Sequence, residues 1–334
     1  MARGGDGRGQ ALTDSATPMP AGEFDLIDRI RSRAASRDDV VLGIGDDAAV
    51  LQPPPGKQVV VTADALNAGV HFTEATKAED LGWKSLAVNL SDLAAMGAQP
   101  AWCTLSLSLP QSDPEWLDGF IDGFLELASL HGIALVGGDT TRGPLSIAVT
   151  AMGLVDNGSA LRRDGAKVGD DIWVTGTLGD AAAALQSLFA GAAIDRALRM
   201  RLDRPTPRVA AGLRLVGLAN SCIDVSDGLL ADLGHVCERS RVGAEIAIDG
   251  LPASPSLQRF KPAIRGPWQA GGGDDYELCF TAPPRLRDEI QQALDFAETP
   301  GTRIGRIVAG TGVKALDAEG NEWQPPQAGY VHFA

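Results

Sequence analysis

Between Glu23 and Val308 the chain alternates short β-branched runs with stretches of helical period, and several of the runs end in glycine and aspartate. Such alternation predicts an α/β (α+β) protein with mixed sheets flanked by helices. Phe24, Ile27 and Ile30 fall at helical spacing, and 40–42 and 58–62 read as strands. The segment 78–96 reads as a helix stopped by Gly97 and Pro100, followed by a strand at 101–109, a helix at 114–130, a strand at 133–136 entering a Gly-Gly-Asp turn, and a strand at 146–155. After the polar stretch Asp156-Asn157-Gly158-Ser159 a second series begins: a strand at 172–175, helices near 180–190 and 207–219, and the turn Asp224-Val225-Ser226-Asp227-Gly228 before a helix to about Arg239. Strands at 276–281 and 302–308 flank a helix at 285–297. The expected organisation is a flexible tail over 1–21, an N-terminal domain over 22–155 and a C-terminal α/β domain over 156–334, each domain with its own core.

Charge narrows the partners. A formal net charge of −14 argues against a nucleic-acid-binding surface, which would need clustered Lys and Arg to displace counterions, so acidic substrates must be met through metal ions or local cations. The 4 cysteines form no CxxC pair, which fits a reducing cytoplasm. No apolar run approaches a membrane span and no apolar core resembling a signal peptide stands at the N-terminus, so neither membrane nor export is expected.

No GxxxxGK[ST] loop occurs, and Gly43-Ile44-Gly45-Asp46-Asp47-Ala48 lacks the third glycine of a dinucleotide fingerprint. Aspartate on a strand-ending or glycine-supported turn recurs instead, at Asp47, Asp64, Asp139, Asp224, Asp227 and Asp274. Carboxylates placed in this way suit Mg²⁺, which takes oxygen ligands and is shared between one or two carboxylates and substrate phosphates. Turn formation is the plainer use of Asp beside Gly, and Asp227 can also cap the helix that follows it. Asp92 is different: it sits near the C-terminal end of a helix, where the macrodipole disfavours an anion, so it calls for a cation.

Taken in order, Gly43-Ile44-Gly45-Asp46-Asp47-Ala48-Ala49, Asn89-Leu90-Ser91-Asp92-Leu93-Ala94-Ala95-Met96-Gly97-Ala98, Gly137-Gly138-Asp139-Thr140-Thr141-Arg142-Gly143, Ser226-Asp227-Gly228-Leu229 and Asp275-Tyr276-Glu277-Leu278 resemble the thiamine-monophosphate kinase family. The likeness runs over about 22–333. It implies the two-domain aminoimidazole ribonucleotide synthetase-like fold, and ATP-dependent phosphorylation of thiamine phosphate to thiamine diphosphate by direct in-line transfer. It also implies a homodimer formed across the N-terminal domains, for which the apolar strand at 101–109 could pair or pack between chains. Carried over by position, it makes Asp47, Thr62, Asp64, Asp92, Asp139, Asp224 and Asp227 ligands of several Mg²⁺ ions. Gly138, Asp139, Arg163 and Ser226 become ATP contacts, with Arg142 a rival to Arg163 for phosphate, while His71, Asp274 and Tyr330 contact thiamine phosphate.

Two positions depart from the family pattern: Asp274 stands where Glu is usual in GGEDYE, and Ala63 replaces a hydroxyl residue. The alternatives are another ATP-dependent enzyme of the superfamily, such as an aminoimidazole ribonucleotide synthetase, or a metal- and nucleotide-binding regulator without turnover. A selenophosphate synthetase would need a reactive Cys and a Lys in the N-terminal tail, which has neither.

Overall fold

The computed structural model describes residues 1, 23–73, 75–326 and 329–330, so the tail expected over 1–21 lies outside the described residues apart from Met1. The first half runs α1 (Glu23–Arg31), β1 (Val40–Leu42), β2 (Val50–Leu51), β3 (Lys57–Asn67), α2 (Ala78–Ala95), β4 (Gln99–Leu109), α3 (Pro114–His131), β5 (Ala134–Arg142) and β6 (Ser146–Asp156). The second half runs β7 (Asp171–Thr175), α4 (Asp180–Phe189), α5 (Arg196–Asp203), α6 (Val209–Leu215), β8 (Ser221–Val225), α7 (Leu229–Ser240), β9 (Gly243–Ala247) and α8 (Pro262–Gly271). It closes with β10 (Glu277–Ala282), α9 (Arg287–Phe296), β11 (Gly301–Val308), β12 (Gly312–Leu316) and β13 (Glu322–Trp323).

Among the described residues the first half forms a two-stranded antiparallel sheet of β1 and β2 and a four-stranded sheet ordered β3-β6-β4-β5, antiparallel except for the parallel pair β4 and β5. The second half forms a sheet ordered β13-β12-β9-β11-β7-β10-β8, in which β12 and β9 alone run parallel. This is the mixed α/β architecture the sequence predicts. Strand β4 is hydrogen-bonded on both sides, so its apolar run fills the middle of its own sheet and cannot pair with a second chain. The Gly-Gly-Asp segment expected as a turn lies inside β5. Gly138 holds φ +148, and a Cβ there would stand 1.8 Å from the Leu105 carbonyl oxygen, so glycine lets two parallel strands approach rather than letting the chain reverse. Asp224, expected in a turn, likewise sits on β8.

Helix α2 organises the molecule. It is buried on nearly its whole circumference, as its apolar composition requires, and it touches α3, α6, β3, β6, β8 and β10. Two glycines set its crossing with α3: a Cβ on Gly82 would lie 1.9 Å from the Phe120 carbonyl oxygen, and one on Gly123 would lie 1.8 Å from that of Glu79. Helix α3 is started by Asp113, whose side chain accepts from the Trp116 amide, with Pro114 in its first turn, and is ended by Gly132 in the left-handed region. One apolar cluster joins Leu86, Leu90 and Leu93 of α2 with Phe120 and Phe124 of α3 and continues to Leu278, Phe280 and Leu294 of the second half. This cluster runs through both halves, while a second one, made only of second-half residues such as Ile172, Ile223, Leu233 and Ile246, fills the space beneath α7. Among the described residues no helix is long and apolar enough to cross a membrane.

Candidate active site

The last two turns of α2 carry polar side chains into the seam between the sheets. Asp92 accepts a hydrogen bond from the Thr62 hydroxyl of β3. Asn89 Oδ1 accepts from the Asp64 amide at 3.1 Å, and the Ser91 hydroxyl donates to Asp224 Oδ2 on β8 at 2.7 Å. One helix thus ties the edge of the four-stranded sheet to the edge of the seven-stranded sheet through residues three positions or fewer apart. Thr62 and Asp64 of β3, Asp92 of α2 and Asp224 of β8, from three separate stretches of sequence, meet there.

The carboxylates oppose one another. Burial raises Asp224 to about 8, reinforced by the charges of Asp92 and Asp232, while the Ser91 hydroxyl and the Arg163 charge act the other way. Asp92 is raised by burial and held down in part by Thr62 and Arg163. Asp64 opens to solvent at the mouth of the group, yet the protein around it, with the charges of Asp92 and Asp227, lifts it to about 6. A cluster in which acids are driven toward protonation at neutral pH is short of cations.

The turn before α7 completes the cluster. The amides of Ser226, Asp227 and Gly228 each donate to Asp232 Oδ2 at 3.1 Å. Asp232, in the first turn of α7, takes the capping role considered for Asp227, and Gly228 stands at the cap position without a side-chain bond. Burial and the Asp227 charge raise Asp232 to about 7, its three amide donors acting in the opposite sense.

On the other side of the cluster lie the residues carried over as substrate contacts. The amide of Asp274 donates to the Ser226 carbonyl at 2.8 Å, and Tyr276, two residues on, donates its amide to the Val225 carbonyl at 2.8 Å. The Tyr276 hydroxyl donates to Asp274 Oδ1 at 2.9 Å, and burial together with the charges of Asp274, Asp64 and Asp224 pushes this phenol well up. Tyr276 therefore bridges Asp274 to the cluster. His71 lies on a turn after β3, where its Nδ1 accepts from the Asn67 amide at 3.0 Å, leaving the proton on Nε2. Tyr330 is half exposed, and its amide donates to the Asp227 carbonyl at 3.0 Å, which anchors this residue beside the cluster.

A cavity of about 570 Å³ opens next to Asp92. Its walls combine the apolar Val60, Ala95 and Met96 with Arg163, Arg239 and His235, and Cys222 closes its floor. Arg163 faces it, whereas Arg142 ends β5 at the far edge of the sheet. Gly138 and Asp139 share that far edge: β5 is three strands from β3, and Asp139 stands in the row of Ala65, about 14 Å away at the usual strand spacing. Asp47 is exposed on the loop between β1 and β2, its amide donating to Asp46. A single chain does not bring these three to the cluster through the contacts described above. Lys84, Asn89, Ser91, Asp232 and Tyr276 also stand at the site, though none is a site residue expected from the sequence. A lone lysine inside the apolar stretch Leu81-Gly82-Trp83-Lys84-Ser85-Leu86 was the available signal for the first.

Two helix-bearing mixed sheets joined by a buried helix, with aspartates along the seam, define the AIR synthase related class. The model of the AIR synthase related protein N-terminal domain matches residues 45–155 and that of the C-terminal domain matches 167–317. The chain is 46% identical to thiamine-monophosphate kinase of Escherichia coli (strain K12) over 328 residues, which cover 95% of this chain and 99% of that protein. The crystal structure of thiamine-monophosphate kinase from Stenotrophomonas maltophilia K279a is 56% identical, with a TM-score of 0.83 over 89% of this chain and 96% of that one. AaThiL complexed with AMPPCP and TMP is 30% identical, with a TM-score of 0.73 over 93% of this chain and 97% of that one. The chain belongs to the thiamine-monophosphate kinase family.

Proposed function

We propose that the chain transfers the γ-phosphoryl group of ATP to thiamine phosphate, giving ADP and thiamine diphosphate. The observation that carries the reading is the seam itself, in which a nucleotide-sized cavity bearing Arg163 and a candidate acceptor site bearing Asp274 lie on either side of mutually repelling aspartates. The AaThiL relative was complexed with AMPPCP and TMP, an ATP analogue and an acceptor of the same kinds.

The cluster's donors are all oxygens, and the raised Asp64, Asp92 and Asp224 call for positive charge, so the residues present fit Mg²⁺. Among the described residues no three His, Cys, Asp or Glu side chains are placed to hold a metal ion by themselves, so phosphate oxygens and water would have to supply the remaining ligands. Thr62, Asp64, Asp92, Asp224 and Asp227 would hold them. Bound Mg²⁺ would screen the charge between the two phosphates and stabilise the departing ADP. Arg163, Ser226 and the cavity wall orient ATP, and His71, Asp274 and Tyr330 orient thiamine phosphate. A phosphate oxygen of the acceptor then attacks Pγ in line. The new O–P bond forms as the bond from Pγ to the β,γ-bridging oxygen breaks, and that oxygen leaves on ADP with the electron pair. The attacking oxygen is anionic at neutral pH, so no general base is needed.

The family pattern also assigns Asp47, Gly138 and Asp139 to the nucleotide and its metals. The edge position of Asp139 supports a homodimer in which a second copy supplies it, and the exposed Val59 and Val61 on β3 offer apolar area for such a contact. A cytoplasmic setting suits an ATP-consuming reaction. The test is ATP consumption against a panel of phosphorylated cofactors. Turnover confined to thiamine phosphate supports the reading, and equal turnover with the other acceptors, or with none, overturns it.

A further inference from the structure

Lys84 is a charged residue on α2, a helix buried on nearly its whole circumference, and the reaction described above leaves it without a role. Its side chain is 3% exposed, against 31% for Asp274, its partner in an ion pair with Nζ 3.1 Å from Oδ2. The same ammonium lies 3.5 Å from the His71 carbonyl oxygen. The other carboxylate oxygen of Asp274 accepts from Tyr276 at 2.9 Å. Asp274 is therefore held on one side by the first half of the chain and on the other by the second, with its open face toward solvent.

The backbone explains why such a clamp is needed. Asp274 and Tyr276 have φ of +67 and +50, a region that residues with a Cβ adopt only under constraint. Aspartate tolerates that conformation better than most residues, but its carboxyl is one methylene shorter than that of the Glu usual in the family pattern. A fixed cation behind it determines where the shorter acid points. An ammonium so deeply buried stays out of reach of a ligand that touches Asp274, so Lys84 acts through its partners.

We propose that Lys84 is a positioning residue for the acceptor: from inside α2 it fixes the Asp274 carboxylate and the His71 turn in one arrangement across the junction of the two halves. This rests on the assignment of Asp274 and His71 to thiamine phosphate. The test is steady-state kinetics and titration with thiamine phosphate on full-length Lys84→Gln, Lys84→Arg, Asp274→Asn and the double variant Lys84→Gln/Asp274→Asn.

The expected result is that Lys84→Gln raises the KM for thiamine phosphate about tenfold or more and leaves the KM for ATP within about twofold. Lys84→Arg should recover most of the loss, and the double variant should be no worse than the poorer single one. A Lys84→Gln defect shared equally by ATP and thiamine phosphate, or multiplying with that of Asp274→Asn, overturns the proposal. If Lys84→Gln proves unstable by thermal melting, Lys84→Arg decides alone: an ATP KM that rises with the thiamine phosphate KM overturns the proposal, and a change confined to thiamine phosphate supports it. Should Asp274→Asn leave the KM for thiamine phosphate unchanged, the assignment of Asp274 fails and the proposal falls with it. A normal Lys84→Gln beside an impaired Asp274→Asn removes only the proposal.

Discussion

Asp92 concentrates the argument at the scale of single residues. It lies near the negative end of a helix dipole, next to other acids, with a hydroxyl donor in Thr62 and the charge of Arg163 as its compensation. Asp92→Asn keeps the shape and removes the charge, so the protein is expected to fold with an unchanged or higher melting temperature while kcat falls by roughly 100-fold or more. Initial rates and thermal melting of the same preparation check this, and near-normal turnover would take Asp92 out of the reaction. Tyr330→Ala should act differently, raising the KM for thiamine phosphate by the roughly 1 kcal/mol expected for a lost aromatic contact, with kcat nearly unchanged. A fall in kcat with constant KM would contradict a stacking role. Asp92 stood out in the sequence because an acid near the C-terminal end of a helix is locally out of place, whereas Asp64 and Asp227 were singled out only by their strand-ending or glycine-supported positions and by the family resemblance. Asp232 and Tyr276 could not, because their importance comes from three converging amides and from two neighbouring carboxylates that only the folded chain assembles.

The decisive element is α2, which serves as core, as link between the sheets and as carrier of the site. Its crossing with α3 leaves no room for a side chain at Gly82 or Gly123. Gly123→Ala should therefore destabilise the protein by about 3 kcal/mol or more, at the upper end of overpacking effects, because a backbone carbonyl blocks the new methyl group. Denaturant unfolding measures this, and a loss below about 1 kcal/mol would mean that the helices separate easily. Long elements with clear periodicity, such as α2, α3, β4 and β6, were legible in the sequence. The misread segments had physical reasons: Gly137-Gly138 imitates a turn while serving a close parallel pairing, and the short β8, β9, α5 and α8 owe their form to packing against their neighbours.

Across the whole molecule, the buried acids couple stability to pH. Asp224 at about 8 and Asp232 at about 7 stand above the ordinary carboxylate value near 4, so between those limits the folded protein holds protons that the unfolded chain has released. Without metal, stability should fall as pH rises from about 4 to 8, by on the order of 1 kcal/mol per pH unit where one such group titrates. Melting temperatures from pH 5 to 8 test this, with Mg²⁺ expected to recover more stability at pH 8 than at pH 5 and Asp232→Asn expected to flatten the slope. A melting temperature that rises with pH would contradict the cluster's electrostatics. The alternation of strands and helices in both halves made the mixed-sheet architecture legible, whereas the apolar cluster that runs through α2 into the second half was not, since the grouping of Leu90 with Phe280 leaves no local trace in sequence. Phosphorus NMR of the complete reaction with Mg²⁺ shows whether this seam passes phosphate from ATP to thiamine phosphate. Thiamine diphosphate and ADP should appear in equal amounts, with no orthophosphate and no ADP when thiamine phosphate is left out. Orthophosphate as the main product, or ADP formed without the acceptor, would contradict this transfer.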